Sequence, residues 1–200
     1  MLSVQFVLPL FFVEPFVIPT GAMEDTILIG DHIVFQTVPR FIPARGDIVA
    51  FIYPVDRRQT FVKRIAGVPG NRIRFSGKAL YRNEVRADEP YAVHKTDYID
   101  SFRDNFPADP NTPLSAQAQD MLLHNVVNGA VVVPPGKYFL LGNRDESLDS
   151  RYWGFVSAGD FIGKPLFIYY LVDQSIERLS RGLQFGWQRN VRWNRIFKPL

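Results

Sequence analysis

The apolar positions of this chain fall in short runs closed by Pro, Gly, Asp or Asn, a texture of brief strands and turns and not of long amphipathic helices. Residues 26–75 carry the densest strand signal, with "HIVF", "GDIVAFIY" and "TFVKRIAGV" separated by turn residues. In the last of these a period of two sends Phe61, Lys63 and Ile65 to one face and Val62, Arg64 and Ala66 to the other. Residues 76–135 change character: a polar, turn-rich stretch through "YRNEVRADEPYAVHKTDYIDSFRDNFPADPNTP" leads to a short helix expected at "SAQAQDMLLHN". Strand texture returns in "GAVVVPPGKYFLLGN" and continues in "DFIGKPLFIYYLV". The pattern predicts a mainly β protein, with an antiparallel-sheet core over residues 15–75 and 136–175 and a smaller, β-rich lobe inserted at 76–135. It contains no internal repeat and no low-complexity segment.

Both ends depart from this texture. "MLSVQFVLPLFFV", residues 1–13, is apolar apart from Ser3 and Gln5, yet shorter than the roughly 20 residues a helix needs to cross a bilayer. With no basic flank before it and no small-residue cleavage site after it, it does not read as a signal peptide. Two readings remain. It is a buried first strand, or residues 1–14 are the outer part of a truncated membrane anchor, with Pro9, Glu14 and Pro15 marking its exit into water. Residues 176–200 end in "RLSRGLQFGWQRNVRWNRIFKPL", basic with interleaved aromatics. That pattern suits a terminal strand and turn over the core's edge, nucleic acid met by stacking and phosphate contact, or anionic lipid met through Trp187 and Trp193.

Composition narrows the chemistry. A chain of 200 residues with 46% hydrophobic content supports a real core, as one domain or one domain with a large insertion. The formal charge of +3 does not by itself point to nucleic acid, and the lack of cysteine excludes disulfides, thiol catalysis and Cys-ligated zinc together. His32, His94 and His124 stand in unrelated contexts, which argues against a Ser-His-Asp triad and gives no zinc-ligand spacing. "GVPGN" has no following helix and is not a phosphate loop, so no metal or organic cofactor is expected. Lys63 remains. Flanked on its own face by Phe61 and Ile65, it is either a buried amine of lowered pKa, able to act as a general base, or a lysine whose stem lies along the sheet while its head reaches water. The stretch "LLGNRDESLDSRYWGFV", residues 140–156, is too dense in charges of both signs for an ordinary turn; paired Arg and Asp fix such loops, and a serine held in one can orient a neighbouring amine.

Taken in order, "IPTGAMEDTILIGD" (residues 18–31), "RGDIVAF" (Arg45 to Phe51), "FVKRIAGVPGN" (Phe61 to Asn71) and "NRDESLDSRYWGF" (Asn143 to Phe155) resemble the successive signature boxes of bacterial type I signal peptidase. The resemblance implies a membrane-associated serine endopeptidase that removes signal peptides from secretory precursors with a Ser-Lys dyad. It makes Lys63 the general base, Ser147 the hydroxyl that orients it, and Asp149 with Arg151 the ion pair that holds the loop. Thr20 becomes the hydroxyl that joins the backbone N–H at position 22 in an oxyanion hole. The nucleophile's position is occupied by Ala22. A deliberate serine-to-alanine replacement explains this better than a natural pseudoenzyme that only binds signal peptides, because Lys63 and Ser147 would otherwise surround a missing oxygen for no reason. A cytosolic Ser-Lys self-cleaving repressor is disfavoured, since no DNA-binding helical domain precedes residue 15.

The same resemblance implies apolar substrate pockets lined by Phe16, Ile18, Met23, Ile27, Ile33, Phe61 and Val62, shallow enough to take alanine-sized side chains. For Ile27 and Ile33, ordinary core packing is an equal reading. The implied partners are precursor proteins and the bilayer surface, with no nucleic acid, and the implied place is the inner or plasma membrane with the site on its extracytoplasmic face. Two departures stand out: Gly142 runs directly into Asn143 and Arg144 where the family often has an intervening acid, which puts an ion pair with Arg64 in doubt, and Asp25 replaces a common proline.

Overall fold

A computed structural model of the protein describes residues 12–37 and 42–171. Residues 1–11 lie outside it, as does 172–200 with the basic aromatic C-terminal segment. Among the described residues the chain runs through β1 (Phe12–Val17), β2 (Asp31–Thr37), β3 (Ile48–Ile52), β4 (Thr60–Gly67), β5 (Arg72–Ser76), β6 (Ala79–Arg82) and β7 (Val85–Arg86). It continues through α1 (Ala116–His124), β8 (Val126–Val127), β9 (Ala130–Val132), β10 (Lys137–Leu141), α2 (Ser150–Trp153), β11 (Val156–Ser157) and β12 (Phe161–Leu171). The strands form two sheets, in the orders β1-β2-β12-β3-β4-β10-β11 and β7-β6-β5-β9-β8, with antiparallel pairing between neighbours. The mainly β, two-sheet architecture is the one the apolar pattern predicts. The sheets part at the turn after Gly67, so β5 belongs to the second sheet although its texture continues that of the first.

Local chemistry accounts for the elements. The expected helix forms as α1, capped by the Ser115 hydroxyl accepting from the Ala118 N–H at 3.1 Å, with Ala118 and Met121 buried. Glu14 and Pro15, read above as the exit of a membrane helix, lie instead inside β1, where Pro15 is paired with Val34. Among the described residues β1 is an edge strand, and a proline there can turn its missing N–H away from the ladder. No helix among the described residues is long and apolar enough to cross a membrane.

Period-two alternation divides the first sheet between two cores. Ile48, Ala50 and Val62 pack with Ile18, Met23, Ile27, Ile33, Phe35 and Ile168 on one face. Val49, Phe51 and Ile65 pack with Tyr138, Leu140, Trp153 and Val156 on the other. Because both faces are covered, β3 reads as an unbroken apolar run. A third core joins the sheets, with Ala66, Phe139 and Leu141 of the first meeting Ile73, Phe75, Leu80 and Val131 of the second and Phe102, Phe106 and Met121 of the connecting segments. Phe139, fully buried and edge-on to Phe155, is central to this junction. Phe139→Ala is expected to cost about 3–5 kcal/mol of stability, whereas exposed Leu123→Ser should stay within about 0.5 kcal/mol, as read from urea unfolding midpoints.

Candidate active site

Lys63 sits in the middle of β4, on the Phe61–Ile65 face as the alternation requires, and only 4% of it is exposed. Of the two readings open for this lysine, burial is the one observed. Its Nζ lies 5.8 Å from the centre of the fully buried Trp153 ring and donates a 2.5 Å hydrogen bond to Ser147 Oγ. Burial pulls the Lys63 pKa from 10.5 down to about 8; the Asp149 carboxylate acts upward and the Arg151 guanidinium downward. An amine in this range has a sizeable neutral fraction near physiological pH and can accept a proton.

The loop that carries Ser147 is fixed by buried charge pairs. Asp149 caps α2 by accepting from the Arg151 N–H at 3.2 Å, and its carboxylate takes Arg151 Nε at 2.9 Å and Nη2 at 2.6 Å, a two-point clamp. Arg151 spends its other donors on the carbonyls of Arg103 and Asp145, at 3.1 and 3.2 Å. A buried pair of this kind contributes little net energy but fixes geometry, because either partner alone would be an uncompensated charge. The turn before Ser147 is as constrained: a Cβ on Gly142 would overlap Ser147 Oγ and lie 2.8 Å from the Ala22 carbonyl oxygen, so only glycine fits.

Lys63 and Ser147 open onto a cavity of about 710 Å³ whose wall also includes Ala22, Thr20, Phe16, Ile18, Met23, Phe61 and Val62. None of the three histidines lines it. Ala22 lies in the single turn Gly21–Met23 between β1 and β2, and the Thr20 hydroxyl that precedes this turn is not used to cap it. Ile27 and Ile33, expected among the pocket residues, do not line the cavity. Both are fully buried in the cluster that holds Ile18, Met23 and Val62, and so back the wall from behind. Core packing, the other reading for these two, is the one observed.

One residue that sequence reasoning left unassigned ties these parts together. The Asn143 N–H donates to the Ala22 carbonyl at 2.8 Å, and its side-chain amide donates to the Met23 carbonyl at 3.1 Å and to Thr26 Oγ1 at 2.9 Å. Its Oδ1 accepts from Arg64 Nε at 3.3 Å. The neutral Asn143 is thus a hydrogen-bond partner of Arg64, for which the sequence put an ion pair in doubt. A short-range signal existed, since an asparagine between a glycine and a charged run can bond backbone on either side. Its partners lie about 80 to 120 positions away and could not be named.

With this geometry in view, comparison with known proteins gives a consistent result. The family model described as "Signal peptidase, peptidase S26" matches residues 1–170. The chain belongs to that signal peptidase family. Among curated relatives it is 31% identical to the signal peptidase I of Rickettsia akari (strain Hartford), over 100% of this chain and 89% of that one. It is 28% identical to the signal peptidase I of Buchnera aphidicola subsp. Acyrthosiphon pisum, over 96% of this chain and 76% of the relative. A crystal structure of a signal peptidase I from Enterococcus faecalis V583 aligns at 32% identity and a TM-score of 0.42, over 62% of this chain and 97% of the other. Members of the family are serine peptidases, and the matched stretch takes in the cavity as well as the second sheet.

The buried amine has a consequence for stability. Between pH about 8, where folded Lys63 titrates, and 10.5, its ordinary value, the unfolded chain binds the extra proton and the folded one does not, so stability rises with pH across that window. Lys63→Met should flatten this rise and make the protein more stable at pH 7, a change readable from urea midpoints at pH 7 and 10.

Proposed function

We propose that this chain carries the machinery of a signal peptidase I, a membrane-associated serine endopeptidase that removes N-terminal signal peptides from secretory precursors, and that Ala22 leaves it unable to turn over. The observation that carries this reading is the buried Lys63 amine, bonded to Ser147 Oγ at 2.5 Å in a cavity whose wall includes position 22. With a serine at that position, neutral Lys63 takes the hydroxyl proton while the oxygen attacks the carbonyl carbon of the scissile bond. The Thr20 hydroxyl and the N–H of residue 22 stabilise the oxyanion. Lys63 then gives its proton to the leaving amine, and water, with Lys63 again as base, hydrolyses the acyl-enzyme. Ser147 orients the amine throughout, and Asp149 with Arg151 holds the loop that bears it.

Substrate binding follows from the same cavity. Pairing of β4 with β10 reaches Arg64, which leaves the backbone of residues 61–63 on that side for an extended substrate. Phe16, Ile18, Met23, Phe61 and Val62 supply apolar walls suited to the small side chains that precede a signal-peptide cut. Leu148, half exposed in the cavity wall, suits a site lying against lipid, as does the membrane association of bacterial signal peptidases. We place the site on the extracytoplasmic face, where the precursor emerges. Ala22 also supports a second reading, a pseudoenzyme that binds signal peptides without cutting them.

Mass spectrometry of a precursor peptide with an alanine-type cleavage site separates the two. The chain as written should give no product, while Ala22→Ser should cut with a rate that climbs as pH passes about 8, the Lys63 value. Adding Lys63→Met should lower that rate by about 10²-fold or more. A restored serine that fails on a good substrate would falsify the peptidase reading and leave the binder.

A further inference from the structure

The second lobe reaches back to the Ser147 loop through residues 89–96. Val93 lies in a parallel bridge with Arg144; its N–H donates to the Asn143 carbonyl at 2.7 Å, and its carbonyl accepts from the Asp145 N–H at 3.1 Å. Lys95 adds a backbone N–H to Asp145 Oδ1 at 3.2 Å. Two residues before Val93, the Tyr91 ring lies under the Arg64 guanidinium at 3.9 Å, and the Tyr91 hydroxyl donates to Glu89 Oε1 at 3.1 Å.

Arg64 follows Lys63 in β4. Its guanidinium donates to neutral groups: Gly46 carbonyl at 2.9 Å, Asn143 Oδ1 at 3.3 Å and Thr26 Oγ1 at 3.4 Å. Among the described residues no carboxylate lies within ion-pair distance of it. Two of those three bonds are long, so direction is set by the flat face of the guanidinium against an aromatic ring, an attraction that strengthens as the cation leaves water. Glu89, bonded to the far edge of that ring, adds negative charge on the same side.

We propose that Tyr91 is a positioning residue for the Lys63–Ser147 pair. Its ring holds Arg64, Arg64 holds Asn143, and Asn143 holds both the turn bearing position 22 and the start of the loop bearing Ser147. The lobe that supplies Tyr91 therefore acts on the chemistry without lining the cavity, since Tyr91 is not part of its wall. This inference rests on the peptidase reading above.

The test uses the Ala22→Ser protein as parent and compares Tyr91→Phe, Tyr91→Leu and Tyr81→Leu. Tyr81 stacks in the same way on Arg74, at 4.0 Å, but within the second sheet, and serves as the control for loss of a stacked arginine. Tyr91→Leu keeps apolar bulk without an aromatic face and should lower kcat about tenfold or more with KM within about twofold, because the substrate walls are untouched. Tyr91→Phe should keep kcat within about threefold, and Tyr81→Leu within about twofold. A Tyr91→Leu protein with parental kcat, a Tyr81→Leu protein slowed as much, or a loss confined to KM overturns the positioning role alone. An inactive Ala22→Ser parent overturns the peptidase reading and this role with it.

Discussion

Withdrawing the Lys63 amine from water disfavours its charged form, and the elements around it can be understood by how each acts on that equilibrium. Trp153, Phe61 and Ile65 exclude solvent from its face of β4. Asp149 favours the ammonium form, and a free carboxylate there would draw Lys63 into an ion pair and keep it charged. Arg151 prevents that by taking both Asp149 oxygens, at 2.9 and 2.6 Å. The amine is left facing the neutral hydroxyl of Ser147, a partner that orients it without fixing its charge.

This arrangement depends on pieces distant in sequence. The turn Gly21–Met23 follows β1, Lys63 is in β4, and Ser147 follows β10. Asn143 joins all three, through the Ala22 and Met23 carbonyls and through Arg64, and it does so as an uncharged amide with donors and acceptor both used. Polar groups buried this densely stabilise only when each is satisfied, which makes the loop rigid and also intolerant. Gly142 shows the intolerance: no side chain fits between Ser147 and the turn at position 22. The second lobe completes the frame by pairing Val93 with the loop's backbone.

Much of this was legible beforehand, and the failures have physical causes. The strand texture, the helix at Ala116–His124 and the face on which Lys63 lies follow from local periodicity and capping, which need no partner. The pairing of Asp149 with Arg151 was implied by the family resemblance, and it forms between the cap of α2 and its first turn. Ile27 and Ile33 were open to both a pocket-wall and a core reading, because an apolar side chain looks the same in sequence whether it faces a cavity or the core behind it. Glu14 and Pro15 resembled a break after a membrane helix, but an edge strand tolerates the same residues. The roles of Asn143 and Tyr91 could not be read, because each is defined by Arg64 and other groups that meet it only after folding.

The sequence by itself determined the β texture, the absence of thiol chemistry, the glycine beside the Ser147 loop and the alanine that stands at position 22 without an oxygen. Only the tertiary structure decided that Lys63 is dry. Alternation is a local property of the backbone, so it shows which way a side chain points. Desolvation is set by whatever covers that face, and here the cover comes from α2 and the loop before it, some eighty to ninety positions further along the chain.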